Sequence, residues 1–201
     1  MEQNNTLFKK IEFYGALVTL ALLIYRVVFG TGLNGLLITA LVVMAIYYMW
    51  FGFFIFSGRS LRDLATPQSR KRISPFRIAS SILMGLVYSF CTIAILYAVF
   101  FYEAMNFMLA FAFFLSLLAT GFTLVYHKLN PEDGPYLRQF YQRSAILGLL
   151  CLAMWITPVN TRLKVLFRQH PDYIEAYQNY RANPDDEQAE EALRKARSFF
   201  R

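Results

Sequence analysis

The residues able to do chemistry in this chain are few and widely spaced. There are two histidines, His127 and His170, and two cysteines, Cys91 and Cys151, and no two of them stand at metal-ligand spacing. A zinc or bis-histidine haem site needs clustered Cys and His ligands, so neither a metal nor a cofactor is expected. Both cysteines fall in apolar stretches and read as packing residues. Glu132 and Asp133, close to His127, are the one grouping that offers an acid or base. Intramembrane proteolysis would want a Ser with a His, or two Asp, at membrane depth; no apolar block contains an Asp. No catalytic residue is assigned. The stretch Gly30-Thr31-Gly32-Leu33-Asn34-Gly35 spells G-x-G-x-x-G. A dinucleotide fingerprint needs a strand before it and a βαβ unit around it, and here an apolar block precedes it, so the glycines read as a tight turn that needs positive φ.

Charge at membrane depth is costly and is kept for a reason. Arg26 lies inside an apolar block, with Glu12 and Glu103 at block edges. Three roles are open to Arg26: snorkelling to the nearer interface, a structural ion pair with Glu103, or a substrate contact.

The elements that must position these residues are apolar blocks. Of the 201 residues 57% are hydrophobic and 16% charged, against about 25% charged in a typical soluble domain. Crossing about 30 Å of hydrocarbon takes roughly 20 helical residues, and blocks at 13–29, 33–56, 78–102, 104–126 and 144–161 approach that length. The expected fold is an all-α integral membrane protein: a bundle of five transmembrane helices over residues 1–161, or four if the last block is re-entrant, followed by a soluble helical hairpin over 162–201. The third and fourth blocks are too long together for one span, which demands a tight turn near Glu103 and Asn106. Ser81, Gly85 and Ser89, and Ala112, Ser116 and Thr120, recur every four residues. Such small-xxx-small rows let backbones approach closely in lipid, so the third and fourth spans are expected to pack through them.

Orientation follows from the loops. Lys9 and Lys10 precede the first span, Arg59, Arg62, Arg70, Lys71, Arg72 and Arg77 fill the second loop, and Lys128, Arg138 and Arg143 the fourth; the first and third loops have neither Lys nor Arg. The positive-inside rule places the N-terminus and both basic loops in the cytoplasm, in a cell (inner) membrane. The net charge of +7 therefore points to anionic lipid or an acidic partner at the loop arginines, and not to nucleic acid.

In the tail, Pro171, Asp172 and Glu175 suit a first helical turn, and Asn183 with Pro184 suits the start of a second helix. A stripe of Tyr173, Ala176, Tyr177 and Tyr180 is expected to bury against Ala189, Ala192, Leu193 and Ala196. Tyr180 ahead of the turn, with Ala189, Leu193 and Ala196 after it, resembles a single tetratricopeptide unit covering under thirty residues. About three such repeats are needed to bury a core, so the expectation carried forward is an amphipathic hairpin docking on the membrane domain or on a partner.

These features favour a non-catalytic membrane protein, a subunit, scaffold or assembly factor working through a protein partner or a second copy of itself. The alternative is a small transporter, channel, or lipid- or small-molecule-binding protein whose cavity is lined by Tyr47, Tyr48, Trp50 and Tyr88.

Overall fold

A computed structural model describes residues 2–57, 75–129 and 134–197, and among these there is helix and turn but no strand. The helices are α1 (Glu2–Phe29), α2 (Asn34–Ser57), α3 (Pro75–Phe100), α4 (Met105–Leu129), α5 (Gly134–Ile156), α6 (Val159–Leu166), α7 (Pro171–Ala182) and α8 (Glu187–Ala196), with a 3₁₀ turn at Thr31–Leu33 between α1 and α2. Four of them, α1 to α4, are long and apolar enough to cross a membrane, and a fifth crossing exists if α5 and α6 count as one bent span.

Helix α3 is the central member: 61% of its apolar window is buried, against 17% in α1. It packs on α2, α4 and α5, while α1 leans on α2. Large apolar side chains such as Val18, Ile24, Phe107, Leu118 and Ile146 point outward. Helices in lipid gain nothing from hiding such side chains, so close contact between backbones decides the packing.

The ends of the bundle differ. The proximal end carries the exposed Lys9, Lys10, Lys128 and Arg138, and the distal end carries the two short interhelical turns and the tail. At the first distal turn Gly30 has φ of 90°, the left-handed region that glycine enters without penalty. At the second, Phe101 and Ala104 take positive φ (52° and 58°), and the Tyr102 N–H reaches back to the Tyr97 carbonyl at 3.0 Å. A bulky residue in that region costs on the order of 1–3 kcal/mol and persists where its surroundings over-determine it. Phe101 is held by edge-on contacts with Phe167 (5.4 Å) and Tyr177 (5.3 Å) from the tail.

The block at 144–161 does not form one helix. Helix α5 begins ten residues earlier, at Gly134, ends at Ile156, and meets α6 at 104°. Pro158 causes the break, because it has no N–H to donate and its ring disfavours the helical conformation in the preceding residue. Helix α7 starts at Pro171 as expected. Helix α8 starts later than the Asn183-Pro184 signal suggested: Asn183 closes α7, and Asp186 is the cap, its carboxylate accepting from the Gln188 N–H at 2.9 Å. Asp186 wins because its own backbone is extended, as a capping residue requires.

Tyr173, Ala189 and Leu193 are buried as the stripe implies, while Ala192 is exposed. Much of the covering surface comes from the bundle: Tyr173 and Leu193 share a cluster with Phe101, Met105, Leu163, Leu166 and Phe167. The tail therefore seals the distal end.

Candidate functional site

Two polar layers cross the bundle, one near each end. In the proximal layer Glu12 of α1 is 6% exposed and accepts two bonds from Arg143 of α5, from Nε at 2.6 Å and from Nη2 at 2.5 Å. The Tyr48 hydroxyl of α2 donates to the same carboxylate at 3.2 Å. The Tyr88 hydroxyl of α3 meets Ser144 Oγ at 3.0 Å and the Phe140 carbonyl at 3.1 Å. Ser116 of α4 donates to the Ser144 carbonyl at 3.2 Å. Five helices thus contribute to one level. A two-pronged guanidinium–carboxylate bond gives direction as well as attraction, and a buried pair holds only if its remaining donors and acceptors are also satisfied. Tyr48 helps meet that condition at Glu12.

The distal layer is built around two arginines. Arg26 is 2% exposed; its guanidinium donates to Asn34 Oδ1 and lies over the rings of Phe100 (5.2 Å) and Phe167 (4.7 Å). Snorkelling is ruled out by this burial: the tail covers the place where the side chain would emerge. Glu103, the proposed ion-pair partner, is exposed in the α3–α4 turn, in a groove shared with Arg194 and Arg197. Arg162 of α6 donates to Asn106 Oδ1. Three further bonds latch the tail to the bundle: Thr31 Oγ1 with His170 Nε2 at 2.6 Å, Gln169 Nε2 to the Phe29 carbonyl at 2.9 Å, and Arg197 Nη2 to the Phe101 carbonyl at 3.1 Å. Burial and the Arg26 charge lower the His170 pKa from 6.5, with Asp172 opposing. Burial likewise raises the Tyr173 phenol.

The small-residue rows meet more than one neighbouring helix. A Cβ on Gly85 would lie 2.6 Å from the Tyr48 carbonyl oxygen and 3.0 Å from Gly52 Cα, so this row faces α2. Ser81 lies on the same face, its carbonyl 3.5 Å from a Cβ built on Gly52. Ser116 faces α5, where a Cβ on Gly148 would meet its hydroxyl at 2.9 Å. Ala112 does meet α3, its carbonyl accepting from the Cys91 thiol at 3.7 Å. Ser89 is buried, and the Thr120 hydroxyl bonds back to the Ser116 carbonyl. The reason is geometric: a row of small residues says that some backbone comes close, and the order of helices around the bundle says which.

Of the four aromatic residues considered for a cavity, Trp50 is 69% exposed, Tyr88 is fully buried and Tyr47 donates to the Phe8 carbonyl at 2.8 Å. Tyr48 does line a cavity, an apolar one between α1 and α5. Cys91 and Cys151 are buried side by side, the Cys151 thiol 3.9 Å from the Cys91 carbonyl. His127 is half-buried in an edge-on contact with Tyr141. Arg59, Arg62, Arg70, Lys71, Arg72, Glu132 and Asp133 lie outside the described residues, as does the side chain of Arg77. Among the described residues no three His, Cys, Asp or Glu side chains gather as metal ligands.

The Glu12–Arg143 pair escaped sequence reasoning. Glu12 read as a block edge and Arg143 as a loop charge, and 131 residues separate them. The one available signal was that both stand at the same depth in their helices. No protein-family model, curated protein or solved structure matches this chain.

Proposed function

We propose that the protein is a non-catalytic multi-pass membrane protein, a subunit, scaffold or assembly factor that works through contacts with a protein partner or a second copy of itself. Its N-terminus is cytoplasmic, the chain crosses five times with α5 and α6 as one bent span, and α7 and α8 form a helical platform on the opposite face of the cell membrane. The observation that carries this reading is the way the tail is anchored. Phe167 over Arg26, His170 on Thr31, Gln169 on Phe29 and Arg197 on Phe101 make it part of the bundle. A tail so held presents a constant surface, and α8 bears Glu187, Glu190, Glu191, Arg194 and Lys195, all exposed. Charged faces of this kind select partners and orient them. The deep charges Glu12, Arg143 and Arg26 also serve as ties between helices, which fits a structural part better than a reaction centre. The basic proximal end supports the cytoplasmic N-terminus.

A photo-crosslinking residue at Glu187 or Glu190, compared with one at Lys10, tests the platform. The expected result is a discrete crosslinked species from the α8 positions. A protein that is consistently monomeric in mild detergent, with no crosslink from either α8 position, overturns the proposal.

A further inference from the structure

A groove of about 370 Å³ opens at the distal end, where the α3–α4 turn meets the tail. Its walls come from two separate parts of the chain: residues 101–107 on one side, and α7, α8 and Arg197 on the other. Both positive-φ residues of the turn, Phe101 and Ala104, line it, and backbone strain of this kind gathers where ligands are clamped. The spans on either side of the turn, of 23 and 24 residues, are a little longer than the roughly 20 that cross about 30 Å of hydrocarbon. The turn therefore stands at the level of the phospholipid headgroups. One edge of the groove is Phe107, which is 67% exposed and stacks on the exposed Phe111 one turn deeper in α4, with ring centroids 6.0 Å apart.

The groove holds ionisable side chains of both signs. Glu103 comes from the turn, Glu190 and Arg194 from α8, and Arg197 from the residue after it. Glu103, Glu190 and Arg194 are exposed, and no ion pair joins any of the four to another among the described residues. Glu190 and Arg194 stand four apart, a spacing at which pairing along a helix is worth only about 0.2–0.5 kcal/mol, so their own attraction yields readily to a ligand. Arg197 is half-buried and committed, its Nη2 donating to the Phe101 carbonyl at 3.1 Å; Arg194 is the cation whose donors face the open groove. The phenols of Tyr177 and Tyr180 also line it, and a hydroxyl can donate to an anionic oxygen or accept from an ammonium. Carboxylates and guanidiniums side by side suit a molecule with an ammonium and an anionic oxygen group a few atoms apart, because charge-assisted bonds at both ends are roughly twice as strong as neutral ones.

We infer that this groove is a binding site for the phosphoethanolamine headgroup of a phospholipid in the distal leaflet, the ammonium answered by Glu103 and Glu190, the phosphate by Arg194, and the acyl chains leaving over Phe107 and Phe111. One occupant accounts for three features: charges of both signs that do not neutralise each other, a position at headgroup depth, and an aromatic edge that continues onto the lipid-facing surface of α4. The site requires only the folded bundle with its docked tail and does not rest on the protein-contact reading above.

The test uses the full chain in mild non-ionic detergent, titrated with phosphatidylethanolamine, phosphatidylcholine, phosphatidylglycerol or the soluble glycerophosphoethanolamine. Bound lipid is counted by native mass spectrometry and the unfolding midpoint is followed in parallel. Phosphatidylcholine keeps both charges but has no N–H to donate to a carboxylate, and phosphatidylglycerol keeps the phosphate without the cation. The expected result is one phosphatidylethanolamine per chain, bound about tenfold tighter than either of the other lipids, as one charge-assisted bond implies, with no response to the soluble headgroup. The double variant Glu103→Gln with Glu190→Gln brings phosphatidylethanolamine down to the phosphatidylcholine level. Arg194→Gln weakens all three lipids and decides the matter if the double variant does not fold. Equal binding of the three lipids, an equal response to glycerophosphoethanolamine, a preference that survives the double variant, or indifference to Arg194→Gln each overturns the inference.

Discussion

Glu12 and Arg143 show how much a single charged pair can carry inside an apolar bundle. Replacing one partner strands the other as an uncompensated charge. A fully buried pair broken this way loses roughly 3–5 kcal/mol; because the Arg143 side chain keeps 22% exposure, Glu12→Gln is expected to cost about 2–3 kcal/mol, read as a lower unfolding midpoint in detergent. The double variant Glu12→Gln with Arg143→Met should recover part of that loss, and strict additivity would show that the two residues do not couple. Gly85 makes the opposite kind of demand, for empty space. With the Tyr48 carbonyl 2.6 Å from the position of its Cβ, Gly85→Ala must push α2 and α3 apart, at a cost of about 1–3 kcal/mol. Gly35, where an added Cβ meets nothing within 4 Å, is the control: its alanine variant should leave the midpoint nearly unchanged. Gly85 was legible in the sequence as a small residue in a row, but its partner was not.

Among the elements, the tail is the one whose docking should respond to pH. The His170 pKa is lowered in the docked state, by burial first and the Arg26 charge second, so the undocked state takes up a proton more readily. Docking is then unaffected above the ordinary histidine pKa of about 6.5 and weakens as pH falls through and below it. Hydrogen exchange in α7 and α8 should be faster at about pH 5.5 than at about pH 7.5, after correction for intrinsic rates, and His170→Gln should flatten the difference. Phe167→Ala removes the ring that covers Arg26 and packs on Phe101; it should speed tail exchange at every pH and expose the α6–α7 connection to protease. The starts of these helices differ in how plainly they read. Pro171 announced α7, whereas Asn183 mimicked the cap that Asp186 supplies. Side chains with the same capping chemistry stood three residues apart, and backbone conformation chose between them.

For the molecule as a whole, the bundle places α1's first residues and the tail at opposite ends. Cysteines introduced at Lys10 and Glu187 are therefore expected to label from opposite sides of the membrane, with Lys10 reached from the cytoplasm. Cys91 and Cys151 are fully buried and should give little background. Labelling of both positions from one side would reduce the crossings to an even number and undo the platform. The sequence by itself determined that the chain is helical and that four or five of its helices are long and apolar enough to cross a membrane, because hydropathy, proline and glycine act over one or two turns and are read locally. It also determined which end is basic. Tertiary structure alone decided that Glu12 meets Arg143, that Arg26 is roofed by Phe167, that Gly85 meets α2 and Ser116 meets α5, and that a groove opens between α1 and α5. Each of these depends on the order of helices around the bundle and on their rotation about their axes, and in an apolar solvent no single helix face records which neighbour it will meet.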